Sequence, residues 1–441
     1  MDPLNLPGIK PLDYRETAFD IKYICEPDQP AVQCSAHPAA KMYRFGTRQF
    51  AARDIPHRAK RVLIDVTVQR WRCAACKRIY QSPVPSIDTA HRVTVRMLEW
   101  VCAQSIAYPF AHVAENTGLS DITIRRMFAA WCERMAKEIV FETPVQMGID
   151  EIHVMSAPRL VVTNLEKKTL IEMLPSRTFA QTVDFLDGMP NKERITHVAM
   201  DMWPAYRKAV YACLPGAMVI IDKFHVVKML NYVLNEVRKE FAVKLPRATA
   251  IRLKGQKKLL EKRQADLTPE QAQIVQAWLA QYPPIKECYD LKESFYDIYD
   301  APDRATAEHV YLDWCNTIPL YLRNHMKDVI SAIKRCHKEV FNYFECRITN
   351  AFTEGGMNRY IRDIHRDGRG YSFEVLRAKI LYKPELHKWK KPPFAKLVRT
   401  KTGFALENRA PDALPRYTWG VNLSTLAMLA SEKSVMASNQ P

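Results

Sequence analysis

The spacing of apolar and polar positions changes several times along these 441 residues, and the changes divide the chain into stretches of different kind. Val62-Leu63-Ile64-Asp65-Val66-Thr67-Val68 alternates as a strand does, within a stretch that predicts a β-hairpin. From Val93 to about Glu142 the period becomes helical. There Pro109 to Ala114, then Thr117-Gly118-Leu119-Ser120, then Ile122 to Phe128 predict helix, tight turn, helix, with Gly118 in the turn and Ser120 as N-cap. Strand-like runs return at Gln146 to Val154, Arg159 to Asn164, Thr169 to Met173, Ile195 to Met202 and Ala217 to Asp222. Leu165 to Lys168 supplies a turn among them, Phe179 to Met189 a short helix and Pro204 to Leu214 another. Beyond His225 strand patterning gives way to charged helical segments such as Leu253 to Lys262, and to a helix start at Thr268-Pro269-Glu270. The aromatic residues of that stretch, Tyr289, Phe295, Tyr296, Tyr299, Tyr311 and Trp314, read as helical core.

Three strands, helix, strand, helix, strand is the order of an α/β ribonuclease-H-like core, here interrupted by an all-α insertion. Three carboxylates stand out against that frame: Asp150 in Gly-Ile-Asp-Glu-Ile, Asp201 in Val-Ala-Met-Asp-Met and Glu354 in Thr-Glu-Gly-Gly. The two aspartates end or follow buried strand runs, while Glu354 opens a helical stretch through Met357, Tyr360, Ile361 and Ile364. Acids in such places converge on hard cations; a pair of Mg²⁺ ions, or Mn²⁺, held by oxygen ligands cuts and joins phosphodiesters. Glu151 points to the opposite strand face from Asp150, so one of the two faces the site. Asp201 reads either as a metal ligand or as the cap of the following helix, and Asp222 either as part of the site or as the cap of a helix near His225.

Charge and cysteine content narrow the class. Lys and Arg number 65 against 48 Asp and Glu, a net +17 that suits a polyanionic partner such as DNA. No apolar run reaches membrane-spanning length and the N-terminus lacks a signal-peptide pattern, so a cytosolic protein without a membrane partner is expected. In that compartment the 11 cysteines stay reduced and are read for metal ligands. Cys34-Ser-Ala-His37 and Cys73-Ala-Ala-Cys76 form two knuckles separated by 35 residues, a Cys₃His set for a structural Zn²⁺, with Cys25 as a possible replacement ligand. Trp71-Arg72 and Lys77-Arg78 add positive charge beside it. If the helix-turn-helix pattern serves DNA, Thr123, Arg125 and Arg126 lie at the start of its recognition helix. The other reading is an α-hairpin with Ile122, Ile124 and Met127 as core. From Arg377 to Lys401 nine cations stand against one Glu, with Trp389 and Phe394 interleaved; Lys388, Lys390 and Lys391 are expected to meet phosphates.

The motifs together resemble one known family, the zinc-ribbon-bearing DDE transposases of bacterial insertion sequences called ISL-three. The resemblance runs over nearly the whole chain. It rests on Gly148-Ile149-Asp150-Glu151, on Met200 to Tyr206, on Asp222-Lys223-Phe224-His225, and on Thr349 to Glu354 with Gly368 to Phe373. It implies that Asp150, Asp201 and Glu354 are the metal-binding triad, Asp222 and His225 accessory, with zinc in the N-terminal module and helix-turn-helix binding of double-stranded terminal inverted repeats. The spacing from Glu354 to the Gly-Tyr motif is longer than the family pattern suggests, which points to an insertion at Gly355-Gly356. Because two DNA ends must be held together and joined to target DNA, a homodimer or higher oligomer is expected. The competing reading is a non-catalytic DNA-binding regulator or decayed transposase; a pure binder has no reason to place acids on separate core strands and a distant helix. The expected divisions are 1–88 zinc-binding module, 89–143 helix-turn-helix, 144–225 first part of the core, 226–345 helical insertion, 346–402 core completion with the basic segment, and 403–441 tail.

Overall fold

In the computed structural model, residues 4–28, 32–138, 142–368, 370–382, 397–400 and 403–406 are described. They belong to two compact units, one built from residues 1–140 with 367–385, the other from 141–366 with 386–419. Lys388, Lys390 and Lys391, with Trp389 and Phe394, lie outside the described residues, as does nearly all of 403–441.

The first unit opens with strands β1 (Ile9–Glu16), β2 (Asp20–Pro27), β3 (Met42–His57), β4 (Lys60–Cys73), β5 (Ile79–Gln81), β6 (Ile87–Asp88) and β7 (Val93–Thr94). They form one sheet in the order β1-β2-β4-β3-β7-β6, with β5 on β4. Val62, Ile64, Val66 and Val68 of β4 are all buried while the residues between them are not, the period-two burial that their sequence predicts. The β3–β4 hairpin turns at Arg58-Ala59, both in the left-handed region, which matches the twist of the two strands. Helices α1 (Val95–Ala107), α2 (Phe110–Thr117) and α3 (Asp121–Glu138) follow. Gly118 (φ +68°) ends α2, and the Ser120 hydroxyl accepts from the Thr123 amide at the start of α3.

A later segment completes this unit and corrects one expectation. In α16 (Phe373–Leu381), Lys379 belongs to the basic run expected at phosphates, yet it is 1% exposed. Its ammonium donates to the carbonyls of Ser105 and Tyr108 at the end of α1 and lies 4.8 Å from the Tyr371 ring centroid and 5.1 Å from that of Phe110. A cation there satisfies orphan helix carbonyls, complements the negative end of the helix dipole, and finds aromatic faces in place of water.

In the second unit β8 (Gln146–Val154), β9 (Ala157–Asn164) and β10 (Thr169–Leu174) form an antiparallel meander. After α4 (Phe179–Asp187) come β11 (His197–Met200), α5 (Pro204–Cys213) and β12 (Met218–Ile221), giving a sheet ordered β10-β9-β8-β11-β12 in which β11 is parallel to both neighbours. Met147 to Asp150 are consecutively buried, as befits a central strand covered on both faces. From α6 (Lys223–Ala242) through α7 (Arg247–Gly255), α8 (Lys257–Glu261), α9 (Pro269–Gln281), α10 (Pro283–Asp300), α11 (Arg304–Thr317), α12 (Arg323–Arg335), α13 (His337–Phe341) and α14 (Tyr343–Cys346), the described chain is helical. Tyr289, Phe295, Tyr299, Tyr311 and Trp314 are buried in its core, while Tyr296 packs against it partly exposed. The sequence then returns to the sheet through a π-helical turn, Phe352–Met357, that runs into α15 (Asn358–Gly368). The hairpin β13 (Leu397–Thr400) and β14 (Gly403–Leu406) closes the described residues.

Replacing Lys379 with Met should leave the α1 carbonyls of Ser105 and Tyr108 without their donor and destabilise the first unit by about 1–3 kcal/mol. Urea unfolding of the full chain measures this, and a variant as stable as the wild type would contradict the capping role.

Candidate functional site

Strand register builds the site. Ile149, Met200 and Ile221 stand side by side across β8, β11 and β12. The next residue on each strand is an aspartate: Asp150, Asp201 and Asp222 therefore leave one row at the end of the parallel part of the sheet, where open α/β sheets place their ligands. Their side chains then diverge. Asp150 is 4% exposed, and its Oδ2 accepts from Asn358 Nδ2 at 2.7 Å. Asp201 remains partly exposed, one carboxylate oxygen accepting from the Met202 amide. Asp222, fully buried, accepts from the Phe224 amide at 3.0 Å and from the Asn350 amide, so it caps α6 and fixes the segment leading to Glu354. Among the alternatives open for Asp222, the cap is its observed contact.

His225, expected to be accessory, lies at the centre. Its Nε2 is 2.6 Å from Glu354 Oε1 and 3.8 Å from Asp150 Oδ1, and its Nδ1 is 3.4 Å from Asp201 Oδ1. The ligating atoms of Asp150, His225 and Glu354 all lie within 4.8 Å of one another; Asp201 falls outside that cluster and meets it through the imidazole. Burial alone would push the His225 pKa down, but the Glu354 contact and the charges of Asp201, Glu354 and Asp150 outweigh it and raise it to about 9. Burial raises Asp150 to about 6 and also raises Asp222, whose charge the buried site disfavours. Glu151 turns away, paired with Arg177.

The Glu354 segment is stapled to β8 by buried polar contacts. Asn350 Nδ2 donates to the Ile149 carbonyl at 2.9 Å, the Thr353 hydroxyl donates to Asn350 Oδ1 at 2.5 Å, and the Thr163 and Thr353 hydroxyls are 2.6 Å apart. A Cβ on Gly148 would stand 2.5 Å from Asn350 Oδ1 and from Thr163 Oγ1, so only glycine leaves room for this junction. Gly355-Gly356, where an insertion is expected, falls in the π-helical turn, and Glu354 reaches His225. Sequence reasoning quoted Asn350 within a motif without giving it a role, and did not single out Asn358, Thr163 or Thr353. An isolated Asn or Thr carries no spacing signal.

The fit of this site to a divalent cation rests on its donors and on what they lack. Carboxylate oxygens predominate, His225 Nε2 and Glu354 Oε1 have only each other at hydrogen-bond distance, and the buried Asn358 Oδ1 has no hydrogen-bond partner among the described residues.

A second cluster lies in the first unit, where Cys34, His37, Cys73 and Cys76 bring their ligating atoms within 4.8 Å of one another. Cys34 Sγ is 3.6 Å from Cys76 Sγ and 3.8 Å from His37 Nδ1. A hydrogen bond from Tyr80, 3.2 Å away, is the largest influence lowering the Cys34 thiol to about 6, which favours the thiolate that a metal requires. Cys25 is no part of the cluster but packs in the sheet's core. Beside the knuckles, Tyr43, Arg44, Phe45 and Arg48 of β3 are exposed; Arg70 and Arg72 of β4 lie 5.7 and 5.4 Å from the Phe45 ring, and Arg44 lies 5.9 Å from that of Trp71. In α3, Arg125 pairs with Asp121 at 2.5 Å and lies over Phe110, Thr123 meets Ser120 at 2.8 Å, and Arg126 is exposed. Ile124 and Met127 are core, but Ile122 is 63% exposed, which removes one residue from the plain α-hairpin reading.

Comparison with known proteins bears on the second unit above all. A transposase family model, that of the ISL3 DDE type, matches residues 147–380. The transposase for insertion sequence element IS1001 of Bordetella parapertussis is 23% identical over 338 residues, spanning 72% of this chain and 80% of that protein.

The His225 shift has a testable sign. Because the folded-state pKa lies above the ordinary 6.5, the imidazolium's contribution to stability is whole below that value and is lost as pH rises through about 9. Asp150 acts in the same sense at lower pH, since its pKa is also raised and the contribution of its neutral form is lost as pH rises through about 6. In metal-free protein the stability decline between pH 6.5 and 9 should flatten in His225→Gln, as read by thermal unfolding. An unchanged decline would refute the assignment.

Proposed function

Because the chain belongs to the ISL3 family of DDE transposases, we propose that it binds the terminal inverted repeats of its insertion sequence, cleaves DNA strands there, and transfers the freed 3′ ends into target DNA. The observation that carries this reading is the meeting of Asp150 and Glu354, far apart in sequence, on His225 beside Asp201 at the end of parallel strands. The strand order β10-β9-β8-β11-β12 supports a ribonuclease-H-like core.

Asp150, Asp201 and Glu354 would hold two Mg²⁺, or Mn²⁺, and His225 stands among them. Ions of that kind supply charge stabilisation to the entering and leaving oxygens of a phosphodiester in hydrolysis and in transesterification. The chain's own part is orientation. Asn358 aims the Asp150 carboxylate, and Asn350 with Thr353 fixes the helix that delivers Glu354. His225 holds a proton among the acids and limits their mutual repulsion when they stand alone. Cys34, His37, Cys73 and Cys76 would hold a structural Zn²⁺, four protein ligands leaving no open position for chemistry. The helices α2 and α3 form the helix-turn-helix of this reading, with Thr123 and Arg126 toward DNA. The arginine–aromatic face of β3 and β4 adds phosphate contacts. Lys388, Lys390 and Lys391 extend the same role, and two DNA ends call for at least a dimer.

Purified protein with Mg²⁺ and a plasmid carrying the DNA that flanks its own gene should cut at defined ends. Asp150→Asn and Asp201→Asn should lose at least about a hundredfold in cleavage rate, the scale of losing a main source of charge stabilisation, with binding retained. Cleavage by Asp150→Asn at the wild-type rate would sink the site. Zinc is checked separately: one equivalent should co-purify and be lost in Cys73→Ser, with a lower melting temperature. A metal-free wild type of full stability would exclude a structural ion.

A further inference from the structure

One part of the Met200 to Tyr206 motif is left without a role by the acid site. Trp203 follows Asp201 by two residues, at the N-terminus of α5, and is 38% exposed. Phe179, at the start of α4, is 46% exposed. These two side chains, with Pro204, Ala205 and Lys208, line a cavity of about 510 Å³. Two large rings partly open to water and lining one cavity make a contiguous apolar patch, the kind of surface that marks a binding site.

The electrostatics around the slot identify its occupant. Arg177 lies 4.0 Å over the Trp203 ring and is itself paired with Glu151, the neighbour of Asp150, so the indole is held from the same strand that carries the first acid. Lys208 is exposed and makes no ion pair among the described residues. Aromatic walls with one cation, Lys208, at the edge and no carboxylate in the lining complement a flat ring attached to an anion. A nucleotide has that form, and stacking of a base on an aromatic side chain contributes about 1–3 kcal/mol. A base still paired in a duplex presents only its edge to a protein, so the ring that enters is unpaired.

We infer that Trp203 and Phe179 form a slot that stacks one unpaired nucleobase of the DNA strand next to the scissile phosphate, with Lys208 at its backbone. Trp203 is thereby a positioning residue: it sets where the strand stops relative to Asp150, Asp201 and Glu354. The inference rests on the transposase reading given above.

The test uses end DNA with 2-aminopurine placed singly at each nucleotide flanking the cut, bound by full-length protein in EDTA so that no cleavage occurs. Wild type should change the fluorescence at one or two adjacent positions. Trp203→Ala should abolish that change with overall affinity within about threefold, Trp203→Phe should restore most of it, and Phe179→Ala, which leaves the Arg177–Trp203 contact intact, should weaken it. An abasic nucleotide at the responsive position should slow wild-type cleavage as much as Trp203→Ala slows cleavage of intact DNA, and combining the two should add little. A response also seen on an unrelated duplex would assign the slot to target DNA, still a strand at the scissile site. Wild type that binds end DNA without a fluorescence response at any flanking position overturns the slot and leaves the transposase reading standing. A response in Trp203→Ala and Phe179→Ala equal to that of wild type does the same. Failure of wild type to bind or cut end DNA overturns both.

Discussion

Asn350 is the side chain on which the geometry of the acid site depends. Its amide nitrogen donates to the Ile149 carbonyl, its backbone nitrogen to Asp222, and its Oδ1 accepts from Thr353. One fully buried residue thus connects the strand before Asp150, the strand end before α6, and the turn that carries Glu354. In low dielectric each of these bonds is costly to leave unmade, about 1–3 kcal/mol for each orphaned group, so the alternatives to this docking are poorly populated. The long helical excursion between β12 and the Glu354 turn can therefore vary in length and shape without moving the acid, because position is set at the junction and not along the path.

Gly148 shows how tightly that junction is packed. The contacts a Cβ would make there are to polar atoms already committed to one another, so displacement would break hydrogen bonds as well as crowd them. The motif glycine beside the first acid has a spatial reason, close approach of a crossing segment, and not a need for unusual backbone angles. The Arg58-Ala59 turn makes the contrast, since there two non-glycine residues adopt left-handed angles.

Much of this was legible in the chain. The five core strands follow from runs of β-branched and aliphatic residues, and their ends place Asp150 and Asp201 as neighbours because register is set by burial of both sheet faces. The paired knuckles gave the Cys34, His37, Cys73 and Cys76 cluster because short spacing nearly dictates proximity. Three things were not legible, each for a physical reason. His225, expected as an accessory, stands at the centre because two of the acids that surround it, Asp150 and Glu354, lie far from it along the chain. Lys379 looked like one more surface cation because composition is blind to a helix end nearby that needs a donor. Asn350 and Asn358 act on partners far along the chain, and nothing local announces them.

The electrostatic state of the site follows from these placements. Three carboxylates gathered in a mostly buried cleft repel one another and lose hydration, and the raised pKa of Asp150 expresses both effects. A single imidazolium touching all three relieves part of that cost, yet among the described residues Asn358 Oδ1 remains without a hydrogen-bond partner. Such an arrangement is poorly optimised for the stability of the protein alone. It becomes favourable when more positive charge is brought in than one histidine supplies, as a divalent ion would bring, and the stapling by Asn350 keeps the acids from relaxing apart meanwhile. The π-helical turn at Glu354 belongs to the same logic: its wider winding is confined to one turn, because the Asn350 and Thr353 contacts before it and the Asn358–Asp150 bond after it hold both ends in place.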